Sequence, residues 1–190
     1  MSLSGSTIIG HGKNRNENDF YPTPSEVTFA FLENISWPTN ITVWEPACGQ
    51  NHMVDVLKTK FTNVIGTDIQ TGNDFLTSQM LEADACVTNP PFSLSVEFIK
   101  KATEYPYAAM LLKSTYWHSA KRTKLFYDRR PSKILCLNWR PQFDQRRAEK
   151  SSPTMDFIWT VWEPETTTTE FIVCPKPTKF FALGEKKDGN

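Results

Sequence analysis

The chain alternates between strand-like and helical patterns. Apolar runs at 41–47 (ITVWEPA), 63–69 (NVIGTDI), 84–91 (DACVTNPP) and 107–115 (YAAMLLKST) are separated by loops and by helical stretches such as NHMVDVLKTKF and LSVEFIKKATEY. Strands joined through helices line up in parallel and need cover on both faces. An α/β fold with a mostly parallel sheet is therefore predicted. Two later runs, 133–139 (KILCLNW) and 156–163 (DFIWTVWE), have no helical pattern between them. They predict an antiparallel hairpin at one edge, and EFIVCP is a candidate last strand. Open sheets of this kind bind ligands at the carboxyl ends of their strands, where the strand order reverses. The polar residues there are Glu45, Asp68, Asn89 and the segment after Trp139.

Upstream of the first strand, YPTPSEVTFAFLENI predicts a helix. Thr23 is the expected N-cap, Pro24 suits the first helical position, and Glu26 would complete a capping box. Val27, Phe31, Leu32 and Ile35 form its apolar face. Residues 1–19 are polar and rich in Gly, Ser and Asn, and are expected to be mobile.

A length of 190 residues suits one domain with a sizeable core. The four cysteines, Cys48, Cys86, Cys136 and Cys174, are far apart and form no CxxC pair. They read as free thiols of a reducing compartment, and the three scattered histidines give no ligand spacing, so no metal is expected. No apolar run approaches the ~18 residues of a membrane span, and no signal peptide is visible. The expected location is cytoplasmic, with no membrane partner. Net charge is zero, yet Lys113–Lys150 holds eleven Lys or Arg against three Asp or Glu. A basic block in an otherwise acidic chain points to a polyanion, with a solvated helix face as the plain alternative.

The strand ends carry the chemistry. In WEPACGQN, Glu45 ends the first strand and Gly49 permits close backbone approach, although Pro46 and Gly49 also suit a simple tight turn. No GxGxxG fingerprint is present, which weighs against a nicotinamide cofactor. Asp68 lies 23 residues after Glu45, where a carboxylate can accept from both hydroxyls of a ribose; a turn or cap role is the alternative. In NDFL, Asp74 and Phe75 could meet a purine, or form an Asx turn followed by a core ring. In VTNPPF, the Asn89 amide oxygen and the Pro90 carbonyl are two acceptors whose geometry the prolines lock. Two acceptors facing one amino group hold it by both hydrogens, and Phe92 offers a face to a flat base.

YPTP, EPACG, GTDI, NDFL, TNPPF and NWRPQF…MDFIWTVWEP, in this order over about residues 20–163, resemble the class I S-adenosylmethionine-dependent amino-methyltransferases. The DNA adenine-N6 enzymes, and small phage or prophage members among them, match best. NPPF at a strand end, 44 residues after Glu45, is the most specific element. The resemblance implies a Rossmann-like fold with seven strands, a single methyltransferase domain over 20–175, and a tail at 176–190. It implies S-adenosylmethionine as cofactor and DNA as partner. Tyr21 and Thr23 would lie by the methionine carboxylate, and Glu45, Ala47, Cys48 and Gly49 by the rest of the methionine portion. Asp68 would bind the ribose, with Ile69, Asp74 and Phe75 at the adenine ring. Asn89, Pro90, Pro91 and Phe92 would grip the target base, with Trp139 or Phe143 as a second ring. Phosphate contacts would come from Lys121, Arg122, Lys124, Arg129, Arg130, Arg146 and Arg147. A duplex base must be flipped out to reach such a pocket.

Two features depart from the family pattern. Its first motif continues as Gly-x-Gly, whereas this chain reads Gly49-Gln50-Asn51-His52. Asn tolerates left-handed backbone angles better than most residues. Sequence-specific relatives also carry a recognition domain, and 27 residues follow Glu163 here. The alternatives are an RNA adenine methyltransferase and a methyltransferase fold that binds nucleic acid or protein without turnover. Protein-glutamine methylation fits less well, because that motif usually has Tyr at position 92.

Overall fold

The computed structural model describes residues 22–143 and 153–178. Tyr21, Arg146 and Arg147, the N-terminal segment 1–19 and much of the expected tail lie outside the described residues. Among the described residues seven strands form one sheet: β1 (Thr42–Glu45), β2 (Asn63–Gly66), β3 (Ala85–Thr88), β4 (Tyr107–Lys113), β5 (Lys133–Leu137), β6 (Phe157–Trp162) and β7 (Glu170–Cys174). Their order is β2-β1-β3-β4-β6-β5-β7. β1, β2, β3 and β4 pair in parallel, and the order reverses between β1 and β3.

The late hairpin is present, one strand in from the edge. β6 runs antiparallel to both β4 and β5, and β7 takes the outer place, parallel to β5. Burial explains the arrangement. Every residue of β6 (FIWTVW) is buried, as in a strand with a neighbour on each side. β7 leaves Glu170, Phe171 and Val173 exposed, as an edge strand can.

Helices cover both faces. α1 (Ser25–Leu32) and α2 (His52–Leu57) pack on one side, where Val27, Phe31, Val56 and Leu57 meet Val43, Val87, Leu111 and Trp159. The Trp159 indole N–H donates to the Val27 carbonyl at 3.0 Å, and its ring stacks on Phe31 with centroids 4.8 Å apart. On the other side lies α3 (Ser95–Ala102), which buries Ser95, Phe98, Ile99 and Ala102 along one helical stripe. Glu97 in its first turn and Lys100 and Lys101 in its last suit the helix dipole. α4 (Thr123–Asp128) follows β4 on this face and returns the chain toward β5.

The capping box expected at α1 does not form. Pro24 is the N-cap, without a side-chain hydrogen bond. The Thr23 hydroxyl instead accepts from the Asn89 side chain, and Glu26 lies 3.5 Å from the Lys176 ammonium. A tertiary bond at the strand end has replaced the local cap.

Candidate functional site

A pocket opens at the carboxyl ends of β1, β2 and β3, where the strand order reverses. Its walls come from Thr23, from Glu45 to Gln50, from Asp68 to Gln70, from Asp74 and Phe75, and from Asn89 to Phe92. The described residues of the expected cofactor set and the whole NPPF motif thus meet in one cavity.

Glu45 is 1% exposed. Its Oε1 accepts from the Thr88 hydroxyl at 2.9 Å, and its Oε2 has no hydrogen-bond partner. Burial pushes the carboxyl from 4.5 to about 8, and nearby Asp68 adds to the rise, against opposing hydrogen bonds from Thr88 and the Asn89 backbone. An unpartnered buried acceptor whose ionisation is suppressed suits a cationic ligand, which would restore its charge. The neighbouring Cys48 thiol is also pushed up, by burial and then by Glu45 and Asp68. That environment makes it a poor nucleophile.

The loop after β1 is tied to β2. Asp68 Oδ2 accepts from the Gly49 backbone N–H at 2.8 Å, and Oδ1 accepts from Gln70 N–H at 2.9 Å. The turn role foreseen as an alternative for Asp68 is therefore real. The residue also lines the pocket, and each carboxylate oxygen keeps a second lone pair. Gly49 has φ 49° and Asn51 has φ 66°, so Asn51 takes the left-handed position that a second glycine would fill. The departure from Gly-x-Gly leaves the turn formed. Gly66 permits the close packing beneath it: a Cβ there would stand 2.9 Å from Val54 Cγ2.

At the adenine side the local structure claims more than expected. Asp74 Oδ1 accepts from Leu76 N–H and Oδ2 from the Thr77 hydroxyl, an Asx turn at the pocket wall. Phe75 is 2% exposed, edge-on to Trp44 at 5.1 Å and against Phe98 at 4.8 Å. Its ring belongs to the core and supplies floor, not an open stacking face. Ile69, 65% exposed, is an apolar side chain of the lining that is open to cover a ligand. The Lys101 ammonium donates to the carbonyls of Phe75 and Ser78 and so pins this loop to α3.

Asn89 is the centre of the site. Its Nδ2 donates to Thr23 Oγ1 at 3.1 Å, and its Oδ1 is buried without a partner. No hydrogen bond reaches the Pro90 carbonyl among the described residues. Pro91 carries the turn by accepting from Leu94 N–H at 3.0 Å. Phe92 is half-buried, with Lys113 Nζ 3.9 Å from its ring centroid and Phe157 at 6.2 Å.

The remaining residues divide by position. Phe143 is buried against Phe157, 4.6 Å between centroids, and Trp139 packs on the same core. Neither lines the pocket, so the expected second ring is not among its described walls. Lys121 and Lys124 are exposed, Lys124 pairing with Asp128 at 2.6 Å. Arg122 stacks on Tyr116 at 3.7 Å and donates to its carbonyl. Arg129 bonds Thr103 Oγ1 and Arg130 the Thr167 carbonyl, just before β5 begins. That is the sheet end opposite the pocket, so these two arginines tie loops together away from the site.

Sequence reasoning missed Thr88, Gln50, His52, Gln70 and Leu94, of which all but Thr88 line the cavity. Thr88 had a visible signal: it is a hydroxyl in a strand buried at every position. Among the described residues no cluster of His, Cys, Asp or Glu could hold a metal, and no helix is long and apolar enough to cross a membrane.

No family model matches the sequence, and no curated protein matches it. Solved structures match the fold. A Listeria monocytogenes protein assigned to the class I S-adenosylmethionine-dependent methyltransferases superposes with a TM-score of 0.56 at 14% identity, over 80% of this chain and 65% of that one. The methyltransferase subunit of a type I restriction-modification system from Streptococcus thermophilus gives 0.58 at 13%, over 80% and 47%. A dimethyladenosine transferase from Plasmodium falciparum gives 0.55 at 14%, over 75% and 62%. The chain thus spans less than two thirds of the length of each of these proteins. Its fold is the Rossmann-like fold of the class I methyltransferases.

Proposed function

We propose that the protein transfers a methyl group from S-adenosylmethionine to the N6 amino group of adenine in DNA. The observation that carries this reading is Asn89. Its amide is oriented by Thr23, and its oxygen is buried, unpartnered and followed by a proline-locked carbonyl. Those two acceptors would take both hydrogens of an exocyclic amino group and turn its lone pair out of the ring plane.

The pocket fits the cofactor that the fold implies. The lone Oε2 of Glu45, with Thr23 and Ala47–Gly49, suits an amino-acid moiety with an ammonium. Asp68 suits a diol, and Ile69 with Asp74 and Phe75 suits a purine. When bound, S-adenosylmethionine supplies a methyl group on a positively charged sulfur, so no strong base need activate the amine first. The chain's own part is positioning: Asn89 and Pro90 hold the amine, and Phe92 offers a face to the base.

Exposed Lys121 and Lys124 follow the carboxyl end of β4, the same sheet end as the pocket, and suit phosphate contacts. A second reading, adenine in RNA, draws support from the likeness to the Plasmodium dimethyladenosine transferase. Incubation with cofactor and unmethylated DNA, then digestion to nucleosides, tests the proposal. N6-methyldeoxyadenosine supports it; methyladenosine formed in matched RNA alone selects the second reading.

A further inference from the structure

β7 is an edge strand that is open in two respects. The first is its backbone. Glu170 N–H donates to the Ser132 carbonyl, and the Cys174 carbonyl accepts from Asn138 N–H. In a parallel ladder both backbone groups of one residue point the same way, and the direction alternates along the strand. Glu170, Ile172 and Cys174 therefore face β5, while the N–H and C=O of Phe171 and Val173 point away from the sheet. Among the described residues no strand pairs with that side.

The second is its side chains. Phe171 pairs in register with Ile134, which packs on the α3 side of the sheet. Phe171 and Val173 lie on that face, 65% and 55% exposed. Between α4 and the start of β7 is a hollow of about 260 Å³, whose walls include Trp117, Phe126, Tyr127, Pro131 and Thr169. An exposed apolar edge of this kind is a template for a further strand.

The strand is complementary to itself. In antiparallel pairing centred on Ile172, Phe171 stands opposite Val173 of a second copy, and Val173 opposite its Phe171. These are the residues whose backbone groups point outward, so each pair exchanges both N–H···O bonds and the apolar side chains cover one another. The same register sets the exposed Pro175 of the second copy opposite Thr169, at the rim of the hollow. It also brings the acidic end of one strand, Glu170, diagonal to Lys176 of the other, whose ammonium is already 3.5 Å from Glu26. A specific interface hides roughly 800 Å² per partner, more than a short strand supplies, so the hollow has to belong to the contact.

We propose that β7 is a self-association surface, through which two copies of the chain form a two-fold dimer with one continuous sheet, Pro175 of each seated at the aromatic hollow of the other. β7 runs parallel to β5, and β5 and β4 both run antiparallel to β6, so β7 has the direction of β4. In the dimer the two strand-end pockets therefore open at opposite ends of the joined sheet, and neither copy blocks the other's. The inference is independent of the reaction proposed above.

Sedimentation of the full chain over the micromolar range tests it, with three variants alongside. Val173→Pro removes an outward N–H and leaves the bonds to β5 in place. Phe171→Lys puts a charge into the apolar face. Ile172→Cys places a thiol on the two-fold axis, where the facing Cα atoms of a non-hydrogen-bonded pair are ~4.5 Å apart and can be bridged. The native chain should dimerise, and the first two variants should associate about 100-fold more weakly, with unchanged circular dichroism and cofactor affinity. Ile172→Cys should form a covalent dimer on mild oxidation, and the native chain, with its own four cysteines, should not. A native chain that stays monomeric would overturn the proposal, as would a dimer that neither Phe171→Lys nor Val173→Pro weakens or that Ile172→Cys fails to link. A monomer in which the Phe171 and Val173 amides resist hydrogen exchange would overturn it too, and would show that another part of the chain covers β7.

Discussion

Asn89 and Thr23 are joined by a 3.1 Å hydrogen bond across 66 residues of sequence. The bond fixes the carboxamide by its nitrogen and leaves its buried oxygen without a partner. A hydroxyl that a local rule assigns to helix capping is spent on aiming the group that the proposed reaction needs most.

That relationship gives the first prediction. Thr23→Val keeps the shape of the side chain and removes the hydroxyl. Methyl transfer should fall by about 10- to 100-fold through misplacement of the amide. Circular dichroism and melting temperature should change little, because Thr23 makes no side-chain cap for α1. An unchanged rate would mean that Asn89 is aimed by something else.

Glu45 makes stability and cofactor binding depend on pH in opposite senses. Its carboxyl rises from 4.5 to about 8 in the fold, mainly through burial. Between those values the unfolded chain ionises and the folded chain stays protonated. Stability therefore falls as pH rises across that window and levels off above pH 8. Glu45→Gln removes the slope and should raise the melting temperature at pH 8, by about 2–4 °C for each kcal/mol relieved. Affinity for S-adenosylmethionine should rise with pH up to about 8 in the native chain, as the carboxylate forms, and be weak and flat in Glu45→Gln. Calorimetric titrations on either side of that value would show it.

Asn51 holds a left-handed backbone angle, φ 66°. Asn51→Ala should lose about 1 kcal/mol of stability, since a Cβ without a polar tip pays the full penalty there. Asn51→Gly should match or exceed the native stability in denaturant unfolding and should bind cofactor normally. The two variants separate backbone geometry from any role for the side chain.

Gly66 packs under Val54, Asn51 and Cys48. Gly66→Ala should cost about 1–3 kcal/mol by overpacking, and should weaken cofactor binding by displacing the loop that carries Gly49. Unaltered unfolding would mean that α2 yields easily.

The fold was largely legible because period and spacing are strong signals here. Strands and helices alternate, and Glu45, Asp68 and Asn89 each fall at or just past a strand end. Tertiary trade-offs were not legible. Nothing local shows that Thr23 serves Asn89 instead of α1, or that Asp68 braces Gly49. Phe75 looks like a stacking ring beside Asp74, and only Trp44 and Phe98, distant in sequence, reveal it as core. The basic block is uniform in composition, yet the chain turns within it. Lys121 and Lys124 are exposed, while Arg129 and Arg130 are engaged in bonds at the sheet end opposite the pocket. The order of β6 and β7 depended on comparing burial along both strands, which hydropathy alone left open.

The most direct measurement compares methyl transfer to adenine-containing DNA by the native chain and by Asn89→Ala, with cofactor affinity measured on both. The account predicts N6-methyldeoxyadenosine from the native chain, a loss of about 10²- to 10³-fold in the variant, and nearly equal affinity for S-adenosylmethionine. Equal turnover by the two proteins would contradict it.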